Sequence, residues 1–289
     1  MIFVNIDDLI KGSIDMHMHP GLTAGFSRVD VLEAARQAKQ AAMKAIVVKS
    51  HEYSAATAAV LANRLVPDIK VFGSICLDYE TGGINLHALE VAAQLGAKVV
   101  WMPTFSSANS INKMRAQGLP LKGEGFSIID KSGKLTAEIK PVLSLIQKNN
   151  MVLATGHISP KEIFALVKEA RKTGIKKIII THPTDAEFME EILNIDELRQ
   201  LTSEGAFAEF TIIGILPNEF CHDPAERVRV IKSIGAEHCI ISTDLGQPQN
   251  PLPVEGLRLY IATLLHHGLT PEEVGLMVKT NPAALLDLD

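Results

Sequence analysis

The sequence predicts an α/β protein, a (β/α)8 barrel of the TIM type with an insertion after its fourth strand, built as one domain over residues 1–289. Eight short, β-branched apolar runs recur along the chain, each followed by a helical pattern. Several runs are apolar on both faces, as parallel strands covered by helices must be. No strand-like run is left over, and alternating units of this kind favour a closed barrel over an open doubly wound sheet, which periodicity alone leaves as the alternative.

In chain order the runs are SIDMHMH (13–19), AIVVKSH (45–51), VFGSICL (71–77) and KVVWMP (98–103). MVLATGH (151–157), KIIITHP (177–183), AFAEFTI (206–212) and CIISTDL (239–245) complete the set. Their starts fall 32, 26, 27, 53, 26, 29 and 33 residues apart, one β/α unit each except for the long fourth interval. The connecting segments carry helix punctuation. Ser159-Pro160 with Glu162, and Asp223-Pro224 with Glu226, each supply an N-cap, a proline at the first helical position and a carboxylate in the first turn. Gly96, Gly174, Gly205 and Gly235 stand shortly before strands, where helix C-termini need positive φ. Within 28–44 the apolar spacing is helical and predicts one buried stripe, through Val29, Leu32 and Ala35.

The long interval holds a polar stretch, SSANSINKMRAQGLPLKGEG, then a hairpin-like GFSIIDKSGKLTAEI and a helical IKPVLSLIQKNN. An insertion behind a strand's C-terminal end lies on the reactive face of a barrel, so residues 104–136 are expected to form a lid or substrate loop.

Hydrophobic residues make up 47% and charged residues 21%, enough for a large core and too apolar for long disorder. A net charge of −5 with scattered Lys and Arg excludes the basic surface that phosphate backbones require. Aromatic content of 5% also argues against base-stacking platforms, leaving a small molecule as the expected partner. Cys76, Cys221 and Cys239 lack metal-type spacing and read as small buried hydrophobes of a reducing compartment. MIFVNIDDLI has no basic start, and no apolar run approaches the ~20 residues that cross a bilayer. A cytoplasmic protein is expected, with homo-oligomerisation through the outer helices left open.

Placement carries the chemistry. Five runs end in a metal-binding residue type, and barrel sites use the C-terminal ends of strands. His17 and His19 are two apart and share a face of an extended strand. His157 and His182 close the fifth and sixth runs, and Asp244 stands near the end of the eighth. Imidazoles with a carboxylate suit zinc or a similar divalent ion. Each histidine alone reads better as a packed residue, but burying four rings without partners is expensive, so together they read as a metal centre. No glycine-rich phosphate loop, Walker A segment or nucleophile elbow competes.

With DMHMHPG, ATGHIS, ITHPT and STDLGQ in these places, the chain resembles the amidohydrolase superfamily, which carries H-x-H on the first strand, His on the fifth and sixth, and Asp on the eighth. KTNPAALLDL (279–288) is similar to that superfamily's C-terminal segment, and VVKSH, GGINLHALE and GAKVVWMPT look like a compact, little-characterised branch of it. The resemblance implies a metal-dependent hydrolase that cleaves a C–N or C–O bond (amide, lactone, imine or ester) of a small polar or anionic substrate. His17, His19, His157 and Asp244 would hold one divalent ion, zinc first, with Mn, Fe or Co as alternatives; His182 would be a further ligand or would polarise the substrate. Asp244 would take the proton of an ion-held water, whose pKa falls toward about 7, and pass it to the leaving group. Two-metal members place a bridging Lys or Glu on the fourth strand; KVVWMP offers none, so one ion is favoured over two. Lys49, His51, Glu209 and Thr104 are the expected substrate contacts. Lys49 has rival readings as a carbamate bridge or as an ion-pair partner of Glu209, and His51 as a donor behind the site. A metal-dependent non-oxidative decarboxylase and a non-catalytic metal-binding barrel are the alternatives. His87, His238, His266 and His267 are given no site role, and His222 only a weak one.

Overall fold

The computed structural model describes residues 5–21, 27–119, 123–217 and 221–288; part of the expected lid, 120–122, lies outside them. Eight parallel strands are hydrogen-bonded in sequence order. They are β1 (Ile14–Met18), β2 (Ala45–Val48), β3 (Lys70–Cys76), β4 (Val99–Trp101), β5 (Val152–Ala154), β6 (Ile178–Ile180), β7 (Phe207–Thr211) and β8 (Cys239–Ser242). Each lies within one of the eight runs, apart from Lys70, one residue before the third. Helix α1 (Ile6–Ile10) precedes them. Then α2 (Val31–Gln40), α3 (Ala56–Leu65) and α4 (Leu86–Gln94) follow the first three strands, and α5 (Ala108–Ala116) and α6 (Ile139–Lys148) both follow β4. After β5 to β8 come α7 (Pro160–Thr173), α8 (Ile195–Ser203), α9 (Pro224–Ile234) and α10 (Pro253–His266), and α11 (Pro271–Gly275) and α12 (Asn281–Leu286) end the chain.

The expected punctuation is present. Ser159 and Glu162 form a reciprocal capping box on α7, and Asp223 accepts from the Ala225 N–H at the start of α9. Gly174, at φ +93°, ends α7 where a side chain would be strained. The stripe on α2 is rotated from the expected one. Asp30 caps the helix, so Val29 lies outside it, and the buried face runs through Val31, Ala34, Ala35 and Ala38.

Two apolar layers hold the barrel. Ile14, Met16, Val47, Val99, Trp101 and Ile240 are among the residues that fill its interior, joined by Leu285 and Leu286 of α12. A larger layer lies between strands and helices. Along β1 the inside-facing residues begin with Ile14 and Met16, yet Met18 belongs to the outer layer. The pairing of β1 with β2 shifts register between Asp15 and Met18, and this irregularity changes the parity. His17 therefore also faces inward, against the Trp101 ring at 4.4 Å.

Between β8 and β1 the described residues form a single isolated bridge, Met18 to Leu245, rather than a ladder. The seam is closed by the Asp244 N–H donating to the His17 carbonyl (2.7 Å) and the His19 N–H to that of Leu245 (2.8 Å). Asp15 adds a side-chain staple, its carboxylate accepting from the Thr243 hydroxyl at 2.6 Å and from the Thr243 N–H at 3.1 Å. Burial pushes the Asp15 carboxyl up to about 7, although these hydrogen bonds pull the other way.

The polar stretch of the insertion, expected as loop, contains α5, capped by Ser107. The hairpin-like segment closes through an antiparallel Ile129–Leu135 bridge, and Glu162 of α7 accepts from the Ser127 hydroxyl and the Ile128 N–H. Among the described residues no helix is long and apolar enough to cross a membrane.

Candidate metal centre

His17, His19 and Asp244 meet at the β1–β8 seam. His17 Nε2 lies 3.2 Å from His19 Nε2 and 3.1 Å from Asp244 Oδ1, and His19 Nε2 lies 2.9 Å from that same oxygen. Ring nitrogens and a carboxylate oxygen this close share hydrogen bonds or a common cation, and the donor set fits a divalent ion. Asp244 adopts φ +57°, a left-handed conformation that Asp tolerates better than most residues and that turns its carboxylate onto the two rings.

The electrostatics are those of a buried cluster. Burial opposes a charged His17, but Asp244 and then Glu209 outweigh both burial and the nearby Lys49 charge, and its pKa ends above the ordinary value. Burial takes His19 down to about 3 despite its bond to Asp244. Burial alone would raise Asp244; the His17 and His19 rings instead hold it well below the usual carboxylate range.

His157 and His182 stand beside this set rather than inside it. Their rings meet edge-on at 4.8 Å, and His182 Nε2 is 3.8 Å from Asp244 Oδ2. Burial lowers both imidazoles, His157 well below its ordinary value. The Ser110 hydroxyl of α5 donates to the Phe188 carbonyl at 2.6 Å and lies 2.9 Å from His157 Nδ1. A hydroxyl has one proton, so Ser110 accepts from a protonated Nδ1 and leaves His157 Nε2 with its lone pair. Ser107 and Asn109 hold the His157 carbonyl as well.

The expected substrate contacts separate into two groups. Lys49 and His51 line a cavity of about 500 Å³ together with His19, His157 and Asp244. Phe105 and Phe188 form part of its apolar wall. Glu209 and Thr104 are not among the residues that line it: Glu209 Oε2 and the Thr104 hydroxyl are engaged inside the barrel, while Glu209 Oε1 is buried without a hydrogen-bond partner. Glu209 is fully buried with Oε2 3.1 Å from His17 Nδ1, which fixes that ring's orientation. The Thr104 hydroxyl donates to Asp78 and lies 2.7 Å from His51 Nδ1. Lys49 does not pair with Glu209 as its rival reading had it; its Nζ is 2.9 Å from His17 Nε2 and 4.4 Å above the Trp101 ring. Trp101 occupies the end of β4, where a bridging ligand was sought.

Several residues of this network were not anticipated, Ser107 and Asn109 among them. Asp78 is buried; its Oδ1 accepts from the Thr104 and Ser106 N–H groups and its Oδ2 is 3.1 Å from His51 Nδ1. Burial would raise Asp78, but His51 and Thr104 bring it below the ordinary value. Its place directly after the third run was a usable signal. Asp15 and Ser110 carry no local signal, since their partners lie far away in sequence, and Phe188 lies in an irregular segment. His222 lines a different cavity, of about 830 Å³, near the buried Asp185–Arg227 pair.

A family model described as a family of unknown function (DUF6282) matches residues 12–209. Comparison with curated proteins gives no match. Solved structures are similar over nearly the whole chain. An amidohydrolase from Pseudomonas aeruginosa superposes with a TM-score of 0.66 at 13% identity, covering 98% of both chains. A probable 2-pyrone-4,6-dicarboxylic acid hydrolase from Acinetobacter baumannii, with citric acid bound, gives 0.60 at 14%, covering 96% of this chain and all of the other. The organophosphorus hydrolase from Deinococcus radiodurans gives 0.59 at 16%, covering 98% and 94%. At such identities the likeness shows the barrel fold.

Proposed function

The chain belongs to DUF6282, a family of unknown function, and we propose that it is a metal-dependent hydrolase of the amidohydrolase type. One observation carries the reading: His17, His19 and Asp244 converge on one another at the strands' C-terminal ends, and His19 and Asp244 open into a cavity there. Three solved structures of the same fold are named as hydrolases or amidohydrolases, which supports it. A single ion is the favoured count because Trp101 fills the end of β4, and the nitrogen–oxygen donor set places zinc first.

When bound, the ion supplies Lewis acidity and acidifies a water. The chain's own residues do the rest. Asp244, ionised at neutral pH, accepts the water's proton and returns it to the leaving atom. His182, whose Nε2 lies 3.8 Å from the second oxygen of that carboxylate, would polarise the substrate carbonyl or imine. Lys49 and His51 hold the polar or anionic part of a small substrate, and the 104–136 insertion lends Phe105 to the wall that excludes water.

The test is elemental analysis of the purified protein, then turnover of amide, lactone, ester and acid panels by the zinc-loaded form. One equivalent of metal and hydrolysis lost in Asp244→Asn are expected. Release of CO2 without consumption of water would replace hydrolysis with decarboxylation, which a centre without a β4 ligand also accommodates. A metal-loaded protein inert on every panel would favour a binding barrel.

A further inference from the structure

His17 has one lone pair to offer, and the Lys49 ammonium already stands on it. Its Nδ1 is 3.1 Å from the buried Glu209 carboxylate, so Nδ1 carries the proton and Nε2 is the nitrogen left for the centre. That Nε2 points to His19 Nε2 and Asp244 Oδ1, the set argued above to take a divalent ion. Lys49 Nζ stands 2.9 Å from the same nitrogen. A lone pair takes one N–H or one ion, and two cations this close repel strongly where water is excluded. Lys49 has somewhere to go. Its ammonium sits on a flexible four-carbon stem, and the residue already lines the cavity.

We propose that Lys49 is an ion-displaced residue: it yields His17 Nε2 when a divalent ion binds, and its ammonium turns to the cavity as the charge that meets the substrate. This rests on the metal reading above. It couples substrate recognition to metal loading, since the ammonium serves the cavity only after the ion has claimed His17.

The inference is tested without a substrate. Zinc affinity is measured by competition with a chelating dye for wild type, Lys49→Met and Lys49→Arg, with circular dichroism as the check on folding. Lys49→Met is expected to bind zinc at least about tenfold tighter, a gain of about 1.4 kcal/mol, and Lys49→Arg no tighter than wild type. In wild type, acetic anhydride labelling read by mass spectrometry should modify Lys49 several-fold faster with zinc than without. Equal or weaker zinc binding by folded Lys49→Met overturns the proposal, as does protection of Lys49 by zinc, which would make the lysine part of the ion's own shell. If wild type binds no zinc, the metal reading falls and this inference falls with it; if it binds zinc and Lys49→Met is unchanged, only this inference falls.

Discussion

The two sides of the centre are held by different parts of the chain. At the β1–β8 seam, His17, His19 and Asp244 are fixed from within the barrel, by Glu209 on β7 and by the Asp15–Thr243 staple. On the β5–β6 side, His157 is fixed from outside it, by Ser107, Asn109 and Ser110 of the insertion. A barrel can therefore keep its donor set while the wall opposite follows a loop. The seam carries the candidate donor set, and the insertion positions the histidine beside it.

The sharpest way to break this division is Asp244→Asn. Removing the charged donor should weaken zinc binding more than about 100-fold, beyond the 10–100-fold typical of residues that only orient a ligand. Dye competition reads it, and a milder loss would mean that the seam is not where the ion sits. Glu209→Gln comes next, with about 10–100-fold weaker zinc binding expected because His17 loses its charged anchor. Unchanged affinity would reduce Glu209 to packing.

Asp78→Asn probes the cavity wall between the two sides. It should cost about 1–3 kcal/mol in urea unfolding, since buried donors lose a charged acceptor. The pH dependence has a definite sign. Folding lowers the Asp78 pKa, so the carboxylate stabilises the native state above the ordinary value of 3.8 and loses that contribution as pH falls through its folded value. The variant should therefore show a shallower fall in thermal stability below about pH 4, and an identical acid limb would contradict the assignment. Ser110→Ala is the smallest change, about 2 kcal/mol for the two hydrogen bonds of its hydroxyl. It separates the two sides directly: zinc affinity stays within about threefold if His157 serves the substrate, and drops about tenfold or more if His157 is a ligand.

The contrast also explains what the sequence disclosed. The strands were legible because parallel strands buried on both faces need continuous β-branched runs, and AIVVKSH and KIIITHP are short, β-branched and each followed by a helical pattern. His17, His19 and Asp244 were legible because strand ends and two-residue spacing are local patterns. The register shift in β1 was not, yet it decides that His17 and Met16 both face inward. The partners of Glu209 and Thr104 were illegible for a related reason. Inward-facing polar residues one layer below the mouth look like substrate contacts until the partner that occupies them is known. Ser110 lay in a polar stretch expected as a lid or substrate loop, and nothing local showed that its hydroxyl would be buried between a histidine and a carbonyl.

The seam has a consequence for how the protein comes into being. Asp15 and Thr243 are 228 positions apart, so their staple closes one of the longest loops the chain can form. Contacts of that range form late, because loop entropy is lost before they return any stability. A ribosome must therefore release almost the whole polypeptide before His17 and His19 meet Asp244. An ion that needs all three ligands would therefore bind only after synthesis, since an ion offered earlier would find two histidines on a strand still waiting for its last neighbour.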